Sequence, residues 1–342
     1  MKRGWRILFG AVRVAIGVGL LWYLGTSGAI EWRALIGLAR VWPITLAAFL
    51  LLLLDMIVTS WRLCVLMAAR GLHLSVTAAT KLSLIGMFFS ACLPGSTGGD
   101  LVKIYYATEG NRGRRMEVAT VILFDRAVGM FGLMLWPLLV TPFFPRLIEQ
   151  APVLRVLLWG AAGIAAGLLI GFVAAWSESL RRSRLVQWMF RGLPLGSYVE
   201  RIFDTVHGYR NHLGAVLGSV AISLLAHTMS VAVTLLLIAA VNPAGAAWQM
   251  AVLIPLGHLA NTLPFTPGGL GVGEAAFNKL FSMAGLTGGA EGMLGWRLLT
   301  IAIGLLGLLF YLQGRRKVVH DTTESAAPLE GSISAAPPPM QQ

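Results

Sequence analysis

Two glycine-rich runs hold the residue types best suited to chemistry. The first reads Leu93-Pro94-Gly95-Ser96-Thr97-Gly98-Gly99-Asp100, the second Thr266-Pro267-Gly268-Gly269-Leu270-Gly271-Val272-Gly273-Glu274. Each joins Pro-Gly to a glycine four residues after the proline, then an acid that opens an apolar helix. Gly98, Gly99, Gly271 and Gly273 let a backbone turn and approach a ligand closely. Helices opening at Asp100 and Glu274 would aim free N–H groups at that ligand, an arrangement that favours phosphate. The two acids could instead cap those groups, or attract an ammonium or a coupling proton. Both readings stay open.

Other polar residues lie in apolar surroundings. Asp125-Arg126 falls about two turns, roughly 12 Å, into a long apolar segment. It is either a structural ion pair to another helix or, through Arg126, a site for a headgroup phosphate. His258 and Asn261 are one turn apart just before the second run and could line the same cavity. His258 and His227 could equally be packing residues. Asp55 and Arg62, seven apart on one helical face, suggest an internal tether. Lys103 could anchor at the interface or meet lipid phosphate, and Tyr105 and Tyr106 fit an interfacial belt.

The elements that must hold these residues are membrane helices. Of 342 residues, 56% are hydrophobic and 12% charged, against about 25% charged in soluble domains. Mean hydropathy is +0.74. Residues 213–273 contain no Asp, Glu, Lys or Arg, and a helix needs about 20 apolar residues to cross a bilayer. The net charge of +12 fits basic loops on a cytoplasmic face. Nucleic acid is not an expected partner, because no basic segment interleaves aromatics. Cys64 and Cys92 sit in or beside apolar segments without metal-ligand spacing. The basic, then apolar, N-terminus reads as a retained signal anchor.

The expected segments are 14–30, 41–61, 82–99 (interrupted at Pro94), 118–141, 153–176, 214–241, 250–265, a short helix 275–283, and 293–313. Gly163, Gly167 and Gly171, spaced by four, predict a helix-packing face. Residues 178–212 are Arg-rich with interspersed apolar side chains, as in an amphipathic helix on the cytoplasmic surface. The domain expected is 1–314, and 315–342 reads as a disordered tail.

Charge bias orients these segments. The N-terminus, 62–81, 103–115, 181–210 and 315–317 together hold 20 of the 27 Lys and Arg. The other connections hold five: Arg33, Arg40, Arg146, Arg155 and Arg297. Both ends of the segment broken at Pro94 therefore want one side, and both ends of the one broken at Pro267 want the other. The expected architecture is an all-α polytopic membrane protein with six full spans and two re-entrant hairpins from opposite faces. Both termini are cytoplasmic. Similar motifs entering from opposite sides suggest an inverted repeat, a common frame for transport sites. Two kinked full spans are the alternative.

Pro94-Gly95-x-x-Gly98-Gly99-Asp100, Asp125-Arg126-x-x-Gly129 and Pro267-Gly268-Gly269-x-Gly271-x-Gly273-Glu274 together resemble the membrane region of lysylphosphatidylglycerol synthase/flippase proteins, over about residues 5–315. Family members usually carry Glu-Arg where this chain has Asp125-Arg126. The resemblance implies lipid translocation between leaflets of a bacterial cytoplasmic membrane. The synthase domain of bifunctional members has no counterpart here, so synthase activity is not carried over.

The expected function is therefore flippase- or scramblase-like movement of a phospholipid, aminoacyl lipid or isoprenoid/hopanoid-type lipid, not enzymatic and without cofactor or metal. No Gly-x-x-x-x-Gly-Lys-Ser/Thr pattern occurs, so ATP hydrolysis by this chain is not expected. Asp100, Asp125 and Glu274 are the candidate proton carriers. The competing readings are an intramembrane lipid-modifying enzyme and an accessory partner of a lipid-biosynthesis enzyme.

Overall fold

The computed structural model describes residues 41–92, 98–111, 113–183, 196–242, 248–262, 266 and 269–312, with isolated residues 22, 26, 38 and 40. The described residues form helices joined by short turns, with no strand among them. Long apolar stretches make the helices, and local signals end them. Helix α1 (Trp42–Ala69) takes a proline in its first turn, where the missing N–H costs nothing. It stops at Gly71, whose φ of +61° suits glycine alone. Gly71 and Leu72 then donate back to the Ala68 and Met67 carbonyls, at 2.9 and 3.0 Å. Helix α2 (Val76–Cys92) and α3 (Gly98–Gly110) follow, then α4 (Arg115–Val140), the six-residue α5 (Pro145–Gln150) and α6 (Pro152–Trp176). A four-residue turn, α7 (Glu178–Arg181), and α8 (Gly196–Gly208) lead through a 3-10 turn into α9 (Leu213–Val241). The chain continues through α10 (Met250–Thr262), α11 (Val272–Met283) and α12 (Gly289–Leu312).

Five helical stretches among the described residues are long and apolar enough to cross a membrane: 42–69, 115–143, 152–176, 200–241 and 289–312. The protein is an all-α, multi-pass membrane protein. Of the expected first segment only Trp22 and Thr26 are described, both helical. The prolines and glycines at 94, 95, 267 and 268, and the tail beyond residue 312, lie outside the described residues, as does the side chain of Asn261.

The two broken segments each form a pair of packed short helices, α2 with α3 and α10 with α11. At 1.5 Å per residue, α2 (17 residues) is about 26 Å long and α10 (13 residues) about 20 Å. Their returning partners, of 13 and 12 residues, are about 20 and 18 Å. None reaches the roughly 30 Å of a hydrocarbon core.

Packing repeats across the two halves. Map α1, α2, α3 and α4 onto α9, α10, α11 and α12. Then α2 against α12 matches α10 against α4, α1 against α4 matches α9 against α12, and α9 against α4 matches α1 against α12. The contacts of α1 with α2 and of α3 with α4 have counterparts as well, and α1 meets its own counterpart α9 along an extensive seam. The chain thus folds as two like four-helix units joined by α5–α8.

Four sequence expectations change. Arg62 and Lys81 are not loop charges, because α1 runs to Ala69 and α2 starts at Val76. Arg297 is not in an outer connection: it lies within α12 and is buried. In both arginines an acidic partner makes the burial tolerable. The glycine stripe of α6 is open: a Cβ on Gly163, Gly167 or Gly171 would meet nothing within 4 Å among the described residues. The segment 178–212 also does more than lie on a surface. Its helix α8 packs on α4 and α6, and Tyr209 is fully buried, stacked on Phe124. Glu178, exposed at its start, is held below the usual carboxylate range by a hydrogen bond from Arg210.

Candidate functional site

Asp125 and Arg126 are neighbours on α4 but serve different elements. Asp125 takes both forks of Arg62 from α1, Nε to Oδ1 at 2.7 Å and Nη2 to Oδ2 at 3.0 Å. The third donor of Arg62, Nη1, reaches Ser223 Oγ on α9 at 2.8 Å. The expected Asp55–Arg62 tether is therefore replaced: Arg62 is committed to Asp125. A planar guanidinium fits a carboxylate bidentately, and the α1–α4 contact offers that geometry. Asp55 is left with Oδ1 buried and without a hydrogen-bond partner among the described residues.

The glycine in Asp125-Arg126-x-x-Gly129 makes room for this bond. A Cβ on Gly129 would lie 3.0 Å from Arg62 Nη1. The Gly129 carbonyl accepts from His227 Nε2 at 3.0 Å, which gives His227 a structural partner.

Arg126 binds Asp100 on α3 through Nη1 and Oδ2. The second unit repeats this clamp. Glu274 on α11 takes Arg297 of α12 through Nε to Oε1 and through Nη2 to Oε2, the latter at 3.1 Å. Both acids are the third residue of their helix. Their arginines follow 26 and 23 residues later, on the next long helix. The Glu274 side chain is 0% exposed and that of Arg297 8%. Arg297 Nη2 also donates to the Gly269 carbonyl at 2.9 Å, and Glu274 Oε2 accepts from the Gly271 N–H at 2.8 Å. Glu274 thus caps the start of α11 and grips α12 at once. Gly269 and Gly271 have φ of +74° and +78°, which only glycine adopts cheaply.

The glycines of the first run do a different job. A Cβ on Gly99 would overlap the Gly86 carbonyl oxygen of α2, and one on Gly86 would lie 3.0 Å from the Gly99 oxygen. Gly99 N–H donates to Ser90 Oγ at 3.1 Å. Gly98 opens α3 beside it, and Gly273 is buried at the matching place in α11. Here the small residues bring two backbones together within the hairpin.

Lys103 follows Asp100 by one turn. Its Cε would lie 3.2 Å from a Cβ on Gly86, so the side chain runs between α2 and α3. No hydrogen bond or ion pair involves it among the described residues. The corresponding residue of the second unit is Phe277, three after Glu274, which rests against Gly257 of α10. The units therefore differ at this point: a cation in one, a benzene ring in the other. His258 is edge-on to Phe277 with ring centroids 5.2 Å apart and lies 4.9 Å from Trp296. Its one polar contact among the described residues is Thr234 Oγ1 at 3.4 Å, too long to be strong. His258 sits in an aromatic cluster, one helix away from the first unit's charges.

The structure brings Asp100, Arg126, Asp125 and Lys103 together around α4, and Gly271, Gly273 and Glu274 together against α12. Sequence reasoning missed Arg62 and Arg297 as the arginine partners. The repeat held the signal for Arg297, since it stands after Glu274 much as Arg126 stands after Asp100.

No curated protein and no solved structure matches the chain. The sequence profile described as the lysylphosphatidylglycerol synthase TM region matches residues 10–318. This span takes in both units and every charge pair above, and it associates the chain with membrane-lipid function. The chain belongs to the lysylphosphatidylglycerol synthase TM region family.

Proposed function

We propose that this protein moves a membrane lipid between leaflets, carrying the headgroup past the α2–α3 hairpin while the acyl chains stay in the bilayer. The observation that carries the reading is Lys103. It lies inside the hairpin and makes no hydrogen bond or ion pair to an acid among the described residues; Asp125, whose charge it feels, and Asp100 are already held by arginines. A charge at that depth is costly unless paired, and a lipid phosphate supplies the pairing. Both hairpins are re-entrant in this reading, entering from opposite faces, with both termini in the cytoplasm of a bacterial inner membrane. The short helices and the repeated packing support that topology. A phospholipid, aminoacyl lipid or isoprenoid-type lipid remains the substrate class.

The protein is not an enzyme in this reading, and its expected partners are lipids and a lipid-biosynthesis enzyme. Asp100, Asp125 and Glu274 grip three arginines on separate elements, which commits them to charge pairing and favours transport over group transfer. The same bonds make them poor proton carriers. Asp55 suits ion coupling better, with its partnerless buried oxygen.

Purified protein in vesicles should accelerate leaflet exchange of a labelled phosphate-bearing lipid over empty vesicles. Lys103→Gln should reduce that acceleration at least tenfold, with the folded yield unchanged. Equal exchange by the variant would remove Lys103 as the basis. Absence of exchange by the unaltered protein for every lipid class named would sink the proposal.

A further inference from the structure

A cavity of about 560 Å³ opens where α1 ends, α4 begins and α8 crosses them. It lies away from the hairpin clamps, on the face that the charge bias assigns to the cytoplasm. Arg70, Arg114, Arg115, Arg201, Glu117 and Asp204 supply its charges. Four arginines against two carboxylates leave a surplus of two positive charges.

The floor is built and rigid. Glu117 is held by Arg70 Nη2 at 2.9 Å and by Arg114 Nη2 at 2.7 Å. Arg114 also donates to the Arg70 and Gly71 carbonyls, at 2.7 and 2.9 Å, closing the end of α1. The Arg70 guanidinium packs against Gly208, where a Cβ would displace it, and lies 5.9 Å from the centre of the Tyr209 ring. These bonds fix three elements together and consume Glu117. Above the floor stand Arg115 of α4 and Arg201 of α8, both exposed. Neither side chain pairs with a carboxylate among the described residues. The first turn of α4 faces the same space, and no side chain caps it. Its leading N–H groups lack helical partners and add to the positive field.

We infer that this cavity binds a phosphate-bearing anion, with Arg115 and Arg201 as its two arms. Arginine presents paired N–H donors that match phosphate oxygens. The volume falls within the range of about 300–1,000 Å³ usual for ligand pockets. The surplus of two charges suits a compact anion of one or two phosphate groups rather than a polymeric one. Because the arms come from α4 and α8, an occupant pins the connecting segment to the first unit. The same chemistry is offered by a soluble phosphate compound and by the headgroup of an anionic lipid in the adjacent leaflet. The inference does not depend on lipid translocation.

The test uses the full chain, with thermal unfolding as the readout. Inorganic pyrophosphate is titrated against protein in uncharged detergent. In a second arm, nanodiscs of phosphatidylglycerol are compared with nanodiscs of phosphatidylcholine. Both arms are repeated with Arg115→Gln/Arg201→Gln, two exposed positions whose change leaves the floor intact. Saturable stabilisation by pyrophosphate, weakened at least tenfold in apparent affinity by the double variant, assigns the site to soluble phosphate. A gain specific to phosphatidylglycerol, lost in the double variant and without a pyrophosphate response, assigns it to the lipid headgroup. Absence of both responses, or responses equal in the double variant, overturns the inference.

Discussion

Arg62 is the residue on which three long helices converge. It takes its place on α1, binds Asp125 on α4 and reaches Ser223 on α9. Its side chain is 9% exposed and that of Asp125 16%. Removing one partner of such a pair strands the other charge, at a cost of about 3–5 kcal/mol, whereas replacing both with apolar groups of similar volume can be neutral. Arg62→Met and Asp125→Leu should each lower the thermal midpoint sharply, and the double variant should recover most of the loss. Midpoints that fall additively would show that the two side chains contribute independently. Asp55, two turns away on the same face of α1, makes no hydrogen bond or ion pair with Arg62 among the described residues, so its coupling to Arg62 should be weaker than that of Asp125.

At the scale of elements, glycines that look alike in sequence have opposite surroundings. Gly99 presses on the Gly86 backbone, while a Cβ on Gly160 of α6 would meet nothing within 4 Å among the described residues. Gly99→Ala must push α2 and α3 apart, and overpacking of this kind costs about 1–3 kcal/mol. Gly160→Ala meets nothing within 4 Å among the described residues and gains helix propensity, up to about 1 kcal/mol. The first should lower and the second preserve or raise the unfolding midpoint in detergent. Equal effects would mean that the hairpin tolerates separation. This contrast marks the limit of the sequence. Helix positions followed from apolar runs and end signals, since α6 was expected at 153–176 and spans 152–176. The acids and Arg126 were visible as anomalies within apolar segments. Their pairing was not, because Arg62 lies 63 residues from Asp125 and only tertiary packing brings them together. The α6 stripe misled for the same reason: spacing by four reports small side chains on one face and says nothing of what covers that face.

For the whole molecule, the two units repeat packing, hairpin and acid–arginine clamp, yet differ where Lys103 of the first corresponds to Phe277 of the second. A pair of like units can stand parallel or inverted in the bilayer, and the charge count favours inverted. The connections test this directly. His73 lies between α1 and α2, and Thr287 between α11 and α12; both are exposed. If both hairpins are re-entrant from opposite faces, these positions lie on opposite sides of the membrane. In a background lacking Cys64 and Cys92, His73→Cys and Thr287→Cys are placed in sealed inside-out and right-side-out vesicles. A membrane-impermeant thiol reagent should label position 73 only in inside-out vesicles and position 287 only in right-side-out ones. Two kinked full spans would add two crossings and leave these positions opposed as well. Comparing position 73 with exposed Arg115→Cys at the start of α4 separates the cases. A re-entrant α2–α3 hairpin puts both on one side, and a kinked span puts them on opposite sides. Two re-entrant hairpins leave only α4, α6, α9 and their connections to set the sides. Labelling of both positions in the same vesicle type would break the inverted arrangement and the opposed entry of the two hairpins. The Lys103 and phosphate-cavity experiments would stand, since each rests on local geometry within the first unit and α8.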